Sequence, residues 1–308
     1  MIVVAGEALI DIIASPDTEV MRAFTGGAPL NLARIVAKLG VGCSYLGRLS
    51  ADPFGARLAE ALTGAGVKLV LPERVREPTT LAMAQIGHDG SAQYRFYGEA
   101  TSAAVLRYDA IPTGLLDDVR LLALGGLGLI FEPTRSTLLK LVQRACERAL
   151  VVLDPNCRPD AVTDPAAYRQ TVEALLPSVA ILKLSTDDIE FLWPERDPAA
   201  LARDLVASGI PLVLITDGPH PAQAFSARGH CAVAVPAVEV ADTIGAGDAF
   251  LAAVLAWLDG RPSFKLSEAS AEQIEVMVTA AVEVASAVCA THGADLPAGF
   301  SWSGNQVA

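Results

Sequence analysis

Cationic side chains are scarce in this chain: Lys and Arg number 23 against 35 Asp and Glu in 308 residues, a formal net charge of −12. A nucleic-acid backbone is held by clustered Lys and Arg, so the charge balance argues against a nucleic-acid surface, and an anionic ligand must be held by local features. Cysteine is sparse as well. Cys43, Cys146, Cys157, Cys231 and Cys289 stand apart with no CxxC pair, which argues against a disulfide framework or a zinc site and suits reduced thiols in a cytoplasm. Long apolar runs are missing; stretches such as Ala249 to Leu258 fall short of the roughly 20 residues that span a bilayer. The apolar start MIVVAGEALIDII lacks a basic leader and carries Glu7 and Asp11, so it reads as a first strand and not as an export signal. There is no Gly-Lys-Ser/Thr, no GxSxG and no HExxH, and Gly126-Leu-Gly128-Leu-Ile-Phe131 lacks the third glycine of a dinucleotide fingerprint. A Walker A loop, a local hydrolase signature and a dehydrogenase are thereby set aside.

What is present is a large core: 52% of the residues are hydrophobic and 19% charged. Strand-like and helix-like periods alternate. Leu32, Ile35, Val36 and Leu39 share one helical face, CSYLG follows as a strand, and Asp52-Pro53 opens the helix FGARLAEAL, which Gly64 and Gly66 end. Leu121 to Leu124, Leu150 to Leu153, Ala180 to Leu184 and Leu212 to Thr216 read as buried strands, separated by helices such as Pro133 to Arg148 and Ala199 to Ala207. This predicts an α/β fold with a parallel or mixed sheet covered on both faces. Two segments, Asp11 to Phe24 and Thr79 to Tyr97, break the pattern and predict a small β-sheet, the second folded at His88-Asp89-Gly90-Ser91. No repeat or low-complexity linker separates the two parts, so they form one cooperative unit.

The most informative stretch is Asp242-Thr-Ile-Gly-Ala-Gly-Asp248-Ala-Phe250. The apolar run after Asp248 reads as a buried helix, which puts the Gly245, Ala246 and Gly247 amides at its positive end, where they form an anion cradle. An acidic side chain beside a bound anion costs energy unless its charge is used, which makes Asp248 a candidate general base. With a phosphoryl group as the anion, the chemistry is transfer to a hydroxyl. The structural alternative is a helix start capped by Asp.

VADTIGAGDAF closely resembles the C-terminal signature of the ribokinase-like (PfkB-type) carbohydrate kinases. Gly26-Gly27-Ala28-Pro29-Leu30-Asn31-Leu32-Ala33, with YLGRLSADPFG after it, resembles their N-terminal signature. Asp154-Pro-Asn156-Cys-Arg158-Pro resembles the DPNxRP stretch of fructokinase-type members. The resemblance implies an ATP-dependent sugar kinase that uses Mg2+. Asp248 would deprotonate the acceptor hydroxyl and the amides of Gly245 to Gly247 would stabilise the charge on the transferred phosphate. Asp11, Gly26, Gly27 and Asn31 would bind the sugar, and Arg158 would meet phosphate. Glu7, Asp154 and Asn156 are further polar candidates around magnesium and phosphate. Asn31 could equally cap its helix, and Arg158 could be a surface residue on a turn. The small sheet, 12–24 with 79–97, would be a discontinuous lid on a core of 1–11, 25–78 and 98–308, and would pair with a second lid in a homodimer.

Two departures from the family pattern stand out. Ser185-Thr-Asp-Asp188 replaces the frequent Asn-x-x-Glu, passing any water-mediated magnesium role to Asp188, although the same residues read as a helix capping box. Thr216-Asp217-Gly218-Pro219-His220-Pro221 replaces a TxGxxG nucleotide loop, leaving contacts to Thr216 and Gly218, with Lys183, Ser185 and Thr243 also expected at the nucleotide. A monovalent cation, potassium in the family, is expected at Asp242, Ile244 and Gly293. GEALIDII, DPNCRP and QYRFYGEATSAA together resemble fructokinase-type sequences, although Glu99 stands where that group frequently has a basic residue, and the resemblance implies a ketohexose. 2-Keto-3-deoxygluconate is the alternative, its carboxylate requiring Arg22 or Arg95 from the lid. A binding or regulatory protein without turnover is the alternative of another class.

Overall fold

The computed structural model describes residues 1–14, 20–86, 92–302 and 304. The strands are β1 (Ile2–Ala5), β2 (Leu9–Ala14), β3 (Met21–Gly26), β4 (Cys43–Leu46), β5 (Lys68–Leu69), β6 (Thr80–Ile86), β7 (Ala92–Tyr97), β8 (Leu121–Gly125), β9 (Leu150–Asp154), β10 (Ile181–Ser185), β11 (Leu212–Asp217), β12 (His220–Ser226) and β13 (Gly229–Val233). The helices are α1 (Ala28–Lys38), α2 (Pro53–Gly64), α3 (Thr134–Ala145), α4 (Pro165–Leu175), α5 (Thr186–Leu192), α6 (Pro198–Ala207), α7 (Ala246–Asp259) and α8 (Ala271–Cys289). Three helices open on Asp-Pro. Asp52, Asp164 and Asp197 each accept from amides of the first turn, while the proline occupies a position whose N–H has no partner in a helix.

The main sheet runs β13-β12-β11-β10-β9-β8-β1-β4-β5. The strands from β11 to β5 are parallel, and β12 and β13 add an antiparallel edge. Thr216 to Pro221 does not form one loop. In the structure His220 already belongs to β12, and only Gly218-Pro219 turns the chain. Strand alternation sends Ile2 and Val4 into the cluster with α1, α2, α7 and α8, and Val3 and Ala5 into the cluster with α3 to α6. Helix α7 is buried along 248–258, so it carries its first turn, and Asp248 with it, into the interior. Among the described residues no helix is long and apolar enough to cross a membrane.

The second sheet runs β3-β2-β6-β7, with β2 and β6 parallel and the outer pairs antiparallel. The apolar start is two strands, not one: Gly6, at φ +147°, turns the chain after Ala5. Asp11 therefore lies on β2 in the small sheet rather than at the end of the first core strand, and the small sheet takes in Leu9–Ala14 and Met21–Gly26. The turn signal at His88 to Ser91 lies outside the described residues.

Candidate active site

The chain leaves β1 for β4 on one side of the main sheet and resumes with β8 on the other, so a crevice opens at the carboxyl ends of β1 and β8. Segments that follow these strand ends line it: Glu7 after β1, Leu127 after β8, and Asn156 and Arg158 after β9. The small sheet contributes Leu9, Asp11 and Ile13 from β2, Ala84 from β6 and Tyr94 and Phe96 from β7. The start of α7 contributes Thr243, Ile244, Gly245, Gly247 and Asp248, and the cleft holds about 560 Å³.

Asp248 is buried, at 7% exposure, and both of its oxygens are engaged. Asn31 Nδ2 donates to Oδ2 at 3.0 Å and Asn156 Nδ2 donates to Oδ1 at 3.4 Å. Burial raises its pKa, opposed by the Asn31 hydrogen bond and by the charges of Lys183 and Arg158. Asn31 is the fourth residue of α1, whose cap is Gly27, so the capping alternative for Asn31 falls away. Its other polar atom, Oδ1, is buried with no partner among the described residues, although Asn31 lines the cleft. A buried acceptor left in that state awaits a donor.

The glycines are fitted to this site. Gly245 caps α7 at φ +80°, and a Cβ there would lie 2.3 Å from Ala294 Cβ. A Cβ on Gly26 would lie 1.9 Å from Asp11 Oδ2, so Gly26 makes room for that carboxylate rather than facing the cleft itself. Gly27 does line the cleft, at φ +102°. Of the three predicted cradle amides, that of Ala246 turns back to the Thr243 carbonyl at 3.3 Å. Gly245 and Gly247 are the two residues of the three that line the cleft.

Beneath Gly247 lies a buried ion pair, Lys183 Nζ to Asp154 Oδ2 at 3.0 Å. Burial works against the Lys183 charge, but Asp154, Asp188 and Asp248 outweigh it and raise its pKa, whereas burial pushes Asp154 up to about 6 despite Lys183. A hollow of about 130 Å³ next to the cleft is lined by Lys183, Ser185, Asp187, Asp188 and 156–159. Arg158 is held over it by donating to the carbonyls of Asn156 and Cys157. Thr216 pairs in register with Ser185 on the adjoining strand, and Gly218 follows in an exposed turn; neither lines the cleft.

The other predicted residues fall in three places. Asp188 makes the capping box with Ser185, and its oxygens accept from Cys157 N, Ser185 N and Ser185 Oγ. Burial opposes its charge, but Lys183 and these bonds lower its pKa. Its neighbour Asp187, exposed and facing both hollows, went unnoticed in the sequence because no pattern marks which of two adjacent aspartates turns outward. Asp242 accepts from the amides of Ile244 at 3.0 Å and Gly293 at 3.1 Å, which gathers the three residues predicted for a cation into one turn. Arg95 does not reach the cleft: Tyr94 and Phe96 face it, so strand alternation turns Arg95 to the opposite side. Arg22 is exposed on edge strand β3, opposite Ile13, which does line the cleft.

Comparison with known proteins agrees with this geometry. The chain is 31% identical to a fructokinase of Rhizobium leguminosarum bv. trifolii over 84% of its own length and 79% of that protein. It is 32% identical to probable fructokinase-3 of Arabidopsis thaliana, over 83% of this chain and 76% of that one. The crystal structure of a fructokinase with bound ATP from Xylella fastidiosa superposes with a TM-score of 0.86 at 25% identity, covering 95% of this chain and 93% of that one. Aminoimidazole riboside kinase from Salmonella enterica shares the fold, with a TM-score of 0.81 at 22% identity over 95% and 94% of the two chains. The family model for pfkB family carbohydrate kinases matches residues 1–299, and the chain belongs to that family.

Proposed function

We propose that this carbohydrate kinase transfers the terminal phosphoryl group of ATP to a hydroxyl of a neutral ketohexose of the fructose type, with Asp248 as general base. The observation that carries this reading is the Asn31–Asp248 pair: one amide of a residue that lines the cleft fixes the carboxylate through Nδ2, and its own Oδ1 is buried there without a partner among the described residues. A sugar hydroxyl can donate to either group, since each carboxylate oxygen keeps a second lone pair. As the sugar oxygen bonds to phosphorus, its proton passes to Asp248 and the bond to the leaving ADP oxygen breaks. Gly245 and Gly247 amides at the start of α7 meet the charge that develops, supported by Arg158 and by Lys183 behind Gly247. Asp11 and Gly27 contact the sugar from the lid side, under Tyr94 and Phe96. The nucleotide lies toward Thr243, Ser185, Thr216 and Gly218.

The metal assignment follows which oxygens are already committed. The bonds to Asp188 argue against it as the carboxylate for Mg2+, and the outward Asp187 fits that role. Mg2+ entering with the nucleotide would neutralise phosphate charge there. A monovalent cation would be held at the turn of Asp242, Ile244 and Gly293. Asp11, Asp160, Asp187 and Asp248 outnumber Arg158 around the cleft, which favours a neutral sugar over 2-keto-3-deoxygluconate. Exposed Val20, Met21, Phe24 and Tyr97 on the lid favour a homodimer formed through it, and the unpaired cysteines suit a cytoplasm.

Coupled ADP release against fructose, other hexoses, ribose and 2-keto-3-deoxygluconate tests the reading. Fructose should give the highest kcat/KM. Preference for the sugar acid would overturn the substrate, and sugar binding without ADP release would overturn the reaction.

A further inference from the structure

We infer that Asp295 is a positioning residue for the anion cradle, acting through an ion-pair clasp between the C-terminal turn and α1. Asp295 Oδ2 accepts from Arg34 Nη2 at 3.1 Å, and Oδ1 pairs with Lys38 Nζ. Asn31, Arg34 and Lys38 stand at i, i+3 and i+7, so one face of α1 carries both the amide that fixes Asp248 and the two cations that fix Asp295.

The turn that Asp295 anchors presses on the glycine loop. Ala294 packs against Gly245 so closely that any side chain there would collide with it. Gly293 donates to Asp242, and the amides of Ala241 and Asp242 donate to the Cys289 carbonyl. Thr291 Oγ1 closes the turn by donating to the Asp295 carbonyl at 2.8 Å. The base and the cradle are thus referenced to the same helix by two separate connections. Releasing Asp295 loosens the cradle and leaves the Asn31–Asp248 bond in place. Partly exposed ion pairs contribute little to global stability, so a role in positioning separates cleanly from a role in folding.

This inference rests on the kinase reading above, and the test separates the two. Sugar-dependent ADP release by the wild-type protein decides that reading. For the clasp, Asp295→Ala should lower kcat about tenfold, leave the sugar KM within about twofold and accelerate backbone hydrogen exchange in the peptide spanning 242–248. Arg34→Gln with Lys38→Gln should do the same, and the triple variant should be no slower than Asp295→Ala alone, as expected for residues acting as one unit. Asp117→Ala, which removes a distant surface pair with Arg148, is the control and should change neither readout. Unchanged exchange and kcat in Asp295→Ala, or losses that multiply in the triple variant, would overturn the clasp. Should Asp295→Ala fail to fold, the Arg34 and Lys38 variants carry the same two readouts.

Discussion

Replacing Glu7 by Gln should stabilise the protein increasingly as the pH rises above 4.5, and to the full extent above neutral pH. Glu7 is 3% exposed; its Oε2 accepts from Gly128 N at 3.3 Å, and Gly126 has no room for a side chain because the carboxyl lies against it. Burial raises its pKa from the ordinary 4.5 to about 7, against the hydrogen bonds and the Arg158 charge that would lower it. The folded protein therefore keeps a proton that the unfolded chain releases at pH 4.5. Stability from this group is full below that pH and is lost as the pH rises through 7. At about 1.4 kcal/mol per pKa unit the loss amounts to about 3 kcal/mol. Gln fills the same volume, can offer its oxygen to Gly128 and never ionises. Thermal unfolding of the two proteins at pH 4.5 and pH 8 isolates this group, because the remaining titrations are common to both. Equal Tm values are expected at pH 4.5, and at pH 8 a gain for the variant on the order of 5 °C. A difference independent of pH, or a variant less stable at pH 8, would show that Glu7 is held ionised and that burial does not govern it.

Asp248→Asn should lower kcat by about 100 to 10,000-fold while the protein stays folded, because the amide is nearly isosteric; retention of half the wild-type rate would exclude Asp248 as the base. The raised pKa of Asp248 predicts that wild-type kcat falls as the pH drops and the carboxylate protonates, read from a pH–rate profile. Asp11→Ala and Asn31→Ala should raise the sugar KM much more than the ATP KM, and equal effects would mean that neither belongs to the sugar side. Activity at fixed ionic strength should be higher in potassium than in sodium or tetramethylammonium salts; identical rates, with contaminating potassium removed, would leave Asp242 as a brace for its loop and nothing more.

Much of this was legible in the chain itself. The period of Leu32, Ile35, Val36 and Leu39 marked α1, Asp52-Pro53 marked the start of α2, and the short apolar runs marked parallel strands, because each signal is local and set by backbone geometry. The DTIGAGDAF stretch pointed to a candidate anion site beside a carboxylate, and its resemblance to the family signature, not the glycine turn alone, set it apart from an ordinary helix start capped by Asp.

Tertiary structure decided what depends on distance and direction. Asn31 and Asp248 are 217 residues apart, and no local pattern tells which oxygen the amide reaches. Alternation along β7 sent Tyr94 and Phe96 to the cleft and Arg95 away from it, a parity that only the pairing of β7 with β6 fixes. Capping geometry turned Asp188 inward and left Asp187 facing the hollows, although the two are neighbours of one residue type. Composition and periodicity are written residue by residue and can be read that way, whereas a site is an arrangement of side chains from distant segments and exists once the chain has closed on itself.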